Sequence, residues 1–136
     1  MSTALRAEAV QSALDKYRDT SFEWGRNDCL RLARTVLVGI GAKGLPRIPR
    51  YGSELTAIRR LKEQGHDTLE NLLAEHCVEI PPSMALPGDL GTIKGDGALS
   101  AIVVCAGGKW LGWPAETAVF APVGLRPEQL FRWVAP

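Results

Sequence analysis

The pattern of apolar residues changes at Cys77, and this change constrains the fold more than any other feature of the sequence. Before it, apolar residues recur at helical spacing, and glycine or proline separates the segments. After it, short β-type runs alternate with turns that contain glycine and proline. Strands joined by such short links pair antiparallel, because a parallel pair needs a longer crossover. The order predicts an α+β domain in which N-terminal helices pack on a small C-terminal antiparallel sheet.

Two long helices are predicted at the start of the chain. Apolar residues recur at near-helical spacing over residues 4–17, so the first helix covers that range. The second helix begins at Asn27 or Asp28, either of which can cap its free amides, and it ends in the glycine-rich run 39–44. Its apolar face is wide, so we expect it to be central. The residues on or beside that face are Cys29, Leu30, Ala33, Val36, Leu37 and Ile40.

Two shorter helices are predicted before Cys77. Residues 44–52 contain two prolines and are expected to form an extended connection. The third helix follows Ser53 and stops at Gly65, and the fourth follows Thr68. Three side chains of the third helix are expected to face the core, namely Leu55, Ile58 and Leu61.

The second half of the chain contains five runs with the composition of strands, separated by turns with glycine or proline. The final segment is different, because from Pro127 onwards it is predicted to form one helical turn or a short helix. The five predicted strands lie within residues 77–80, 89–94, 99–105, 109–113 and 116–122.

Length, charge and hydropathy exclude several classes of protein. A chain of 136 residues, 46% of them hydrophobic, is expected to form a single domain over residues 1–136. A formal net charge of +1 provides no field that would attract nucleic acid or an anionic membrane. No apolar run approaches the roughly 20 residues of a membrane span, and the charged N-terminus differs from a signal peptide. We therefore expect neither a nucleic-acid partner nor a membrane span.

The cysteines point to a reducing environment. They stand at positions 29, 77 and 105, an odd number with no C-x-x-C pair. This spacing argues against a disulfide framework and against a thiolate metal site. We expect the chain to fold in a reducing cytoplasm, without a metal or cofactor.

Cys29 allows two interpretations. It stands at the start of the second helix, where free backbone amides and the helix dipole favour a thiolate and hence a nucleophile. Free cysteine is also among the most buried residue types, and Cys29 flanks an apolar face. The residue pattern leaves both the nucleophile and the buried core residue open.

A catalytic thiol needs a base, and the chain has only two histidines, His66 and His76. His66 lies in a predicted loop between two helices, where a solvated side chain is expected. His76 ends the fourth helix, where it would stabilise the helix C-terminus. Neither position indicates a base within reach of Cys29, although the sequence alone does not decide this.

Asp89 and the tryptophans are the remaining candidates for a site. Asp89 follows a Pro-Gly turn, where an aspartate commonly accepts hydrogen bonds from the turn's own amides, so we expect a structural role. The four tryptophans could form a surface on which a ligand stacks, but in a small α+β domain we expect them to be packing residues. They are Trp24, Trp110, Trp113 and Trp133.

Three motifs follow one another in a distinctive order. A "WG..DC" segment opens the second helix, "PGDL" opens a strand, and "LSAIVVCAGGKWL" combines strand, turn and strand. In this order they resemble the NlpC-type, papain-like cysteine peptidases of bacterial cell-wall turnover and phage tails. The likeness covers roughly residues 22–111. Within that group the chain is most similar to small phage tail proteins that are encoded near the tail tip genes.

The resemblance implies a position for each reacting group. In the peptidases the nucleophile is the cysteine of the "DC" pair, which corresponds to Cys29. Their base is a histidine that opens a strand with the pattern His-x-Gly-Ile. Leu99 takes the place of that histidine, and Ala101 and Ile102 take the places of the glycine and isoleucine.

The catalytic dyad is therefore expected to be incomplete. Leucine cannot accept a proton, so Leu99 cannot serve as a base for Cys29. The polar residue that orients the base in the peptidases would fall near Gly112 or Trp113, and neither suits that role. The resemblance implies a degenerate NlpC-like module, a pseudoenzyme whose thiol is protonated and inert.

The resemblance also implies a function. We expect a structural component of a phage or prophage tail tip, synthesised in the cytoplasm of a bacterial host and located in the virion tail. It would dock on the tail hub and on tail tip proteins through residues 45–52 or 129–136. The alternative is an active cysteine peptidase or amidase that cleaves peptidoglycan stem peptides during genome delivery, with His76 or a shifted register supplying the base. A small cytoplasmic binding domain unconnected with phages is a third possibility.

Overall fold

A computed structural model describes residues 2–136 of the chain. Within them, four helices precede a six-stranded antiparallel sheet, which confirms the predicted α+β class. The helices are α1 (Thr3–Tyr17), α2 (Cys29–Ile40), α3 (Glu54–Glu63) and α4 (Leu69–His76), and a single 3₁₀ turn covers Pro82–Met84. The strands are β1 (Val78–Ile80), β2 (Leu90–Ile93), β3 (Ala101–Cys105), β4 (Trp110–Gly112), β5 (Ala121–Pro122) and β6 (Gln129–Arg132).

Side-chain caps set the helix starts where the sequence predicts them. The Asp28 carboxylate accepts a hydrogen bond from the backbone N–H of Arg31 and so begins α2. Gly41, in the left-handed conformation with φ 114°, ends the same helix. Ser53 and Thr56 form a reciprocal capping box at the start of α3. These boundaries depend on neighbouring residues alone, which is why the sequence predicts them well.

The sheet has the strand order β1-β6-β2-β3-β4-β5, and each neighbouring pair is antiparallel. Strand β2 pairs with β3 over its full length. In contrast, β3 and β4 pair only through Val104 with Leu111 and Cys105 with Trp110. Residues 101–103, at the start of β3, therefore have no pairing partner in β4.

The C-terminal segment forms a strand, so the prediction of a helical turn from Pro127 is wrong. Strand β6 lies between β1 and β2. Its neighbouring residues Leu130 and Phe131 point to opposite faces of the sheet, and each is only 1% exposed. A proline suits the first turn of a helix, but pairing with two distant strands overrides that local preference. Residues 129–132 consequently belong to the core and are not a free docking segment.

Helices α1 and α2 pack side by side on one face of the sheet. Gly39 permits their close approach, because a Cβ at this position would lie 2.9 Å from the Cβ of Ala9. The predicted central position of α2 is confirmed, since Leu32 and Val36 are buried and the helix packs against β3. Leu30 is only half-buried.

One part of the prediction for α3 is wrong. Leu55 was expected to face the core, but it is 59% exposed. Ala57 and Leu61 are buried and Ile58 is half-buried. Leu55 precedes Ala57 by two residues, which correspond to about 200° around a helix, so the two side chains cannot share a face.

Asp89 ties α1 to the sheet through buried ion pairs. Its carboxylate is fully buried and accepts a hydrogen bond from the backbone N–H of Leu86, as predicted for an aspartate after this turn. It also pairs with Arg6 of α1 at 3.2 Å and with Arg132 of β6 at 2.8 Å. Asp89 therefore has the structural role expected from the sequence.

None of the helices within residues 2–136 is both long and apolar enough to cross a membrane. The longest, α1, has 15 residues, fewer than the roughly 20 that a span requires.

Candidate functional site

Cys29 is the first residue of α2 and lies where the helix layer meets the start of β3. Asp28 precedes it as the capping residue, so the predicted position at a helix start is confirmed. Cys29 and Ile102 of β3 line the same groove, and the backbone of Ile102 acts on the Cys29 thiol by lowering its pKa. Cys29 and the other two cysteines, Cys77 and Cys105, are all free.

Burial decides the protonation state of Cys29. Desolvation, the largest effect, raises the pKa of the thiol from 9.0 to about 11, and the carboxylate of Asp28 also raises it. The backbone groups of Ile102, Cys29 and Leu30 lower the pKa of the thiol, but by less than burial raises it. The backbone amides at the helix start therefore lower the pKa of Cys29, as the sequence suggests, but burial raises it by more. The thiol is protonated at neutral pH.

Leu99 lies close to Cys29, the residue to which the resemblance assigns the role of nucleophile. Both residues line the same large groove, and both line a second, small cavity of about 40 Å³. Ala101, Ile102 and Trp113 also line the groove. The structure thus brings together most residues that the resemblance places at the site, and the side chain in the place of the base is aliphatic.

The two histidines lie elsewhere. His66 Nε2 is 2.7 Å from Glu75 Oε2, and this contact joins the loop after α3 to α4. The His66 side chain is only 13% exposed, so the expectation of a solvated histidine is wrong. His76 lines a separate cavity together with Arg34 and Cys77. Among the described residues, neither histidine lines the groove that contains Cys29.

We call the large cavity beside Cys29 the Cys29 groove. Its volume is about 520 Å³, within the range of roughly 300–1,000 Å³ that is typical of ligand sites. Within the described part of the chain, no group of three or more His, Cys, Asp or Glu side chains is arranged to hold a metal ion. The groove is bounded by the start of α2, the start of β3 and residues drawn from 22–24, 93–100, 113–118 and 123–125.

Two of the four tryptophans line this groove, and both are held by other aromatic rings. Trp113 makes edge contacts with Tyr17, Phe22 and Phe120 at centroid distances of 5.4, 6.0 and 5.1 Å. Its Nε1 donates a hydrogen bond to a backbone carbonyl, that of residue 20. Trp24 packs edge-on against Phe22 at 5.0 Å. The predicted packing role is thus confirmed for Trp24 and Trp113, which at the same time form groove wall.

A cluster of hydrogen bonds around Asp28 fixes the segment that carries Trp24. One partner of Asp28 in this cluster is Tyr51, which was not predicted from the sequence. The buried Asp28 carboxylate accepts hydrogen bonds from the Tyr51 hydroxyl at 2.9 Å, from Arg31 Nη1 at 2.7 Å and from the Gly25 N–H at 2.9 Å. Burial and the Asp28 charge raise the pKa of Tyr51, so the phenol stays a donor. Gly25 has φ +81°, and a Cβ there would lie 2.2 Å from the Tyr51 carbonyl oxygen.

Two glutamates on the helices form hydrogen bonds with the loop between β2 and β3. Neither glutamate was predicted from the sequence to have this role. The carboxylate of Glu54, on α3, lies 3.3 and 3.4 Å from the backbone nitrogens of Ala98 and Leu99, which donate to it. The hydroxyl of Ser100 donates to Glu70 Oε2, on α4, at 2.8 Å. No local motif announces these contacts, because the partners are distant in sequence. Together they fix Leu99 beside Cys29.

Comparison with known proteins identifies a family for this chain. A family model described as a domain of unknown function (DUF6950) matches residues 3–132. Neither a curated protein nor a solved structure matches the chain. Since the matched stretch includes every helix and strand of the fold, the chain belongs to the DUF6950 family.

Proposed function

We propose that this chain is a catalytically inactive, NlpC-type papain-like module that serves as a structural component of a phage or prophage tail tip, where it docks on the tail hub. The observation that carries the loss of activity is the position of Leu99. An aliphatic side chain lies in the groove with Cys29, in the place that the resemblance assigns to the general base. A leucine can neither take a proton from the thiol nor return it to a leaving group.

The electrostatics of Cys29 support the same conclusion. A cysteine nucleophile reacts as the thiolate, which needs a lowered pKa or a neighbouring base. Here burial raises the pKa of the thiol to about 11. His66 is paired with Glu75, and His76 lines a different cavity, so neither histidine is positioned beside the sulfur.

The retained groove supports a binding role. Its walls are fixed by hydrogen bonds to the buried carboxylate of Asp28 and by the contacts of Glu54 and Glu70 with the β2–β3 loop. A cleft that stays rigid without its base is suited to recognition, because little conformational entropy is lost when a partner binds. The location in a phage tail rests on the order of the motifs over residues 22–111.

The pH dependence of iodoacetamide labelling tests the proposed inactivity. We expect Cys29 in the folded protein to label slowly at pH 7, with an apparent pKa near 11, like the buried Cys77. Cys29→Ala and Cys77→Ala variants identify each labelled site. Rapid labelling of Cys29 with an apparent pKa below the roughly 8.5 of a free thiol would instead support the alternative, an active cysteine peptidase or amidase acting on peptidoglycan stem peptides.

The tail assignment needs a separate test. We expect the chain to co-purify with intact tails from a lysogen that encodes it, and to bind the purified tail hub protein. Mass spectrometry of tails purified on a density gradient measures the first, and size-exclusion chromatography of the mixed proteins measures the second. Absence from tails together with no binding to the hub would contradict the assignment and would favour a binding domain unconnected with phages.

A further inference from the structure

The floor of the Cys29 groove is apolar and aromatic. Phe22, Trp24, Leu99 and Trp113 line it, and the Cys29 thiol is a small neutral group among them. A volume of about 520 Å³ is enough for a large side chain together with neighbouring backbone. Residues 101–103 of β3, which have no pairing partner in β4, line the groove, so the groove runs alongside this part of the strand.

The rim of the groove carries unbalanced negative charge. Its charged side chains are Glu54, Asp96, Glu116 and Lys94, that is, three carboxylates against one ammonium group. The Glu54 carboxylate already accepts hydrogen bonds from the β2–β3 loop. Asp96 and Glu116 are exposed, come from two different loops, and form no ion pair within residues 2–136. These two carboxylates are available to a cationic ligand.

We propose that the Cys29 groove binds an extended segment of a partner protein in which an aromatic or long apolar side chain is flanked by arginine or lysine. The apolar side chain would pack against Trp24, Leu99 and Trp113, and the basic residues would lie near Asp96 and Glu116. Cations also interact favourably with the faces of tryptophan rings. This inference rests on the proposed function, since it names the kind of segment that the inactive module would recognise.

Two other classes of ligand fit the groove less well. The acidic rim repels the phosphates of a nucleic acid. A neutral glycan would leave the carboxylates of Asp96 and Glu116 without an ionic partner. A peptide with an apolar side chain between basic residues complements both the apolar floor and the acidic rim.

Three labelled peptides of equal length test the inference with the full chain. The first has a central tryptophan flanked by arginines, the second replaces the arginines with glutamates, and the third replaces the tryptophan with alanine. Fluorescence anisotropy measures the dissociation constants, and two-dimensional amide NMR identifies the surface that responds. We expect the first peptide to bind at least about tenfold more tightly than the other two, with shifts confined to groove-lining segments, chiefly residues 22–24, 93–103 and 113–118.

A matched pair of double variants isolates the rim. Asp96→Asn with Glu116→Gln removes two groove carboxylates, and Glu8→Gln with Asp67→Asn removes two exposed carboxylates that do not line the groove. Both pairs change the net charge equally. We expect the first pair to weaken binding about three- to tenfold and the second to leave it unchanged.

The outcomes separate this inference from the proposed function. Equal binding of all three peptides, equal losses in both double variants, or binding of chitotetraose in preference to the basic peptide would overturn the inference. If no peptide binds up to about 1 mM, the inference is overturned. If Cys29 also labels slowly in that case, the proposed inactivity of the module still stands. Binding followed by cleavage of the peptide would support the groove assignment and contradict the proposed inactivity.

Discussion

Ile102, in β3, and Cys29, at the start of α2, line the same groove, and the backbone of Ile102 lowers the pKa of the Cys29 thiol. Two elements that are distant in sequence, α2 and β3, therefore meet at this cysteine. Burial disfavours the charged form by more, and it raises the pKa of Cys29 to about 11. A thiol thus lies at the helix start without activation, because burial outweighs the effects that favour the thiolate.

Leu99→His should restore part of that activation. A histidine at position 99 would lie in the groove with Cys29, and an imidazolium next to a thiol stabilises the thiolate. We expect the apparent pKa of Cys29 to fall by at least about one unit and iodoacetamide labelling at pH 7 to accelerate about tenfold. Leu99→Asn is the matched control, because it adds polarity without a titrating group. Equal labelling rates in the two variants would show that position 99 is not the site of a base.

Stability should fall at alkaline pH because of Cys29. The pKa of its thiol is about 11 in the folded chain and 9.0 ordinarily, so between about pH 9 and 11 the unfolded state has lost the proton that the folded state keeps. Unfolding is then favoured as the pH rises. From about pH 8.5 to about 10.5 we expect the wild-type chain to lose about 1.5 kcal/mol more free energy of unfolding than Cys29→Ala.

Urea titrations of both chains at the two pH values measure this difference. Other groups that titrate in the range, including Cys77 and Tyr51, are common to both chains and cancel. Parallel pH profiles for the wild-type chain and Cys29→Ala would argue that the thiol is not desolvated.

Asp89→Asn should be strongly destabilising. The Asp89 carboxylate is fully buried and pairs with Arg6, itself buried, and with Arg132. Removing one charge leaves buried arginine without its partner, for which we expect a loss of about 3–5 kcal/mol in chemical denaturation. Asp15→Asn breaks the exposed pair with Arg18 and should change stability by less than about 0.5 kcal/mol. Similar effects of the two substitutions would contradict the structural role of Asp89.

Two truncations of the C-terminus should distinguish strand β6 from the exposed residues that follow it. Removing residues 127–136 deletes β6 from between β1 and β2, together with Leu130 and Phe131, so we expect loss of cooperative thermal unfolding. Removing only the exposed residues 134–136 should leave the melting temperature within about 2 °C of the wild type. Circular dichroism measures both, and a folded chain lacking residues 127–136 would contradict the strand assignment.

Much of the helical half follows from local chemistry. Asp28, Ser53 and Thr68 cap helices at the predicted positions, and Gly41 ends α2 in the conformation that glycine favours. The turn bond of Asp89 is equally local. The prediction for α3 failed at Leu55 because the apolar pattern alone did not separate the buried face from its exposed edge.

Some residues of the candidate site were likewise predicted from the sequence, and others were not. The order of the motifs was enough to place Leu99 and Cys29 together, and the structure shows both in one groove. Tyr51, Glu54 and Glu70 were missed, because they contact the site from connections and helices that carry no motif.

By itself, the sequence determined the α+β order and the helix starts, because caps and periodicity act over a few neighbouring positions. The tertiary structure alone decided that residues 129–132 form an internal strand and that Cys29 is protonated. Strand pairing and desolvation depend on segments far apart in the chain. Only their packing shows that burial outweighs the helix start at Cys29.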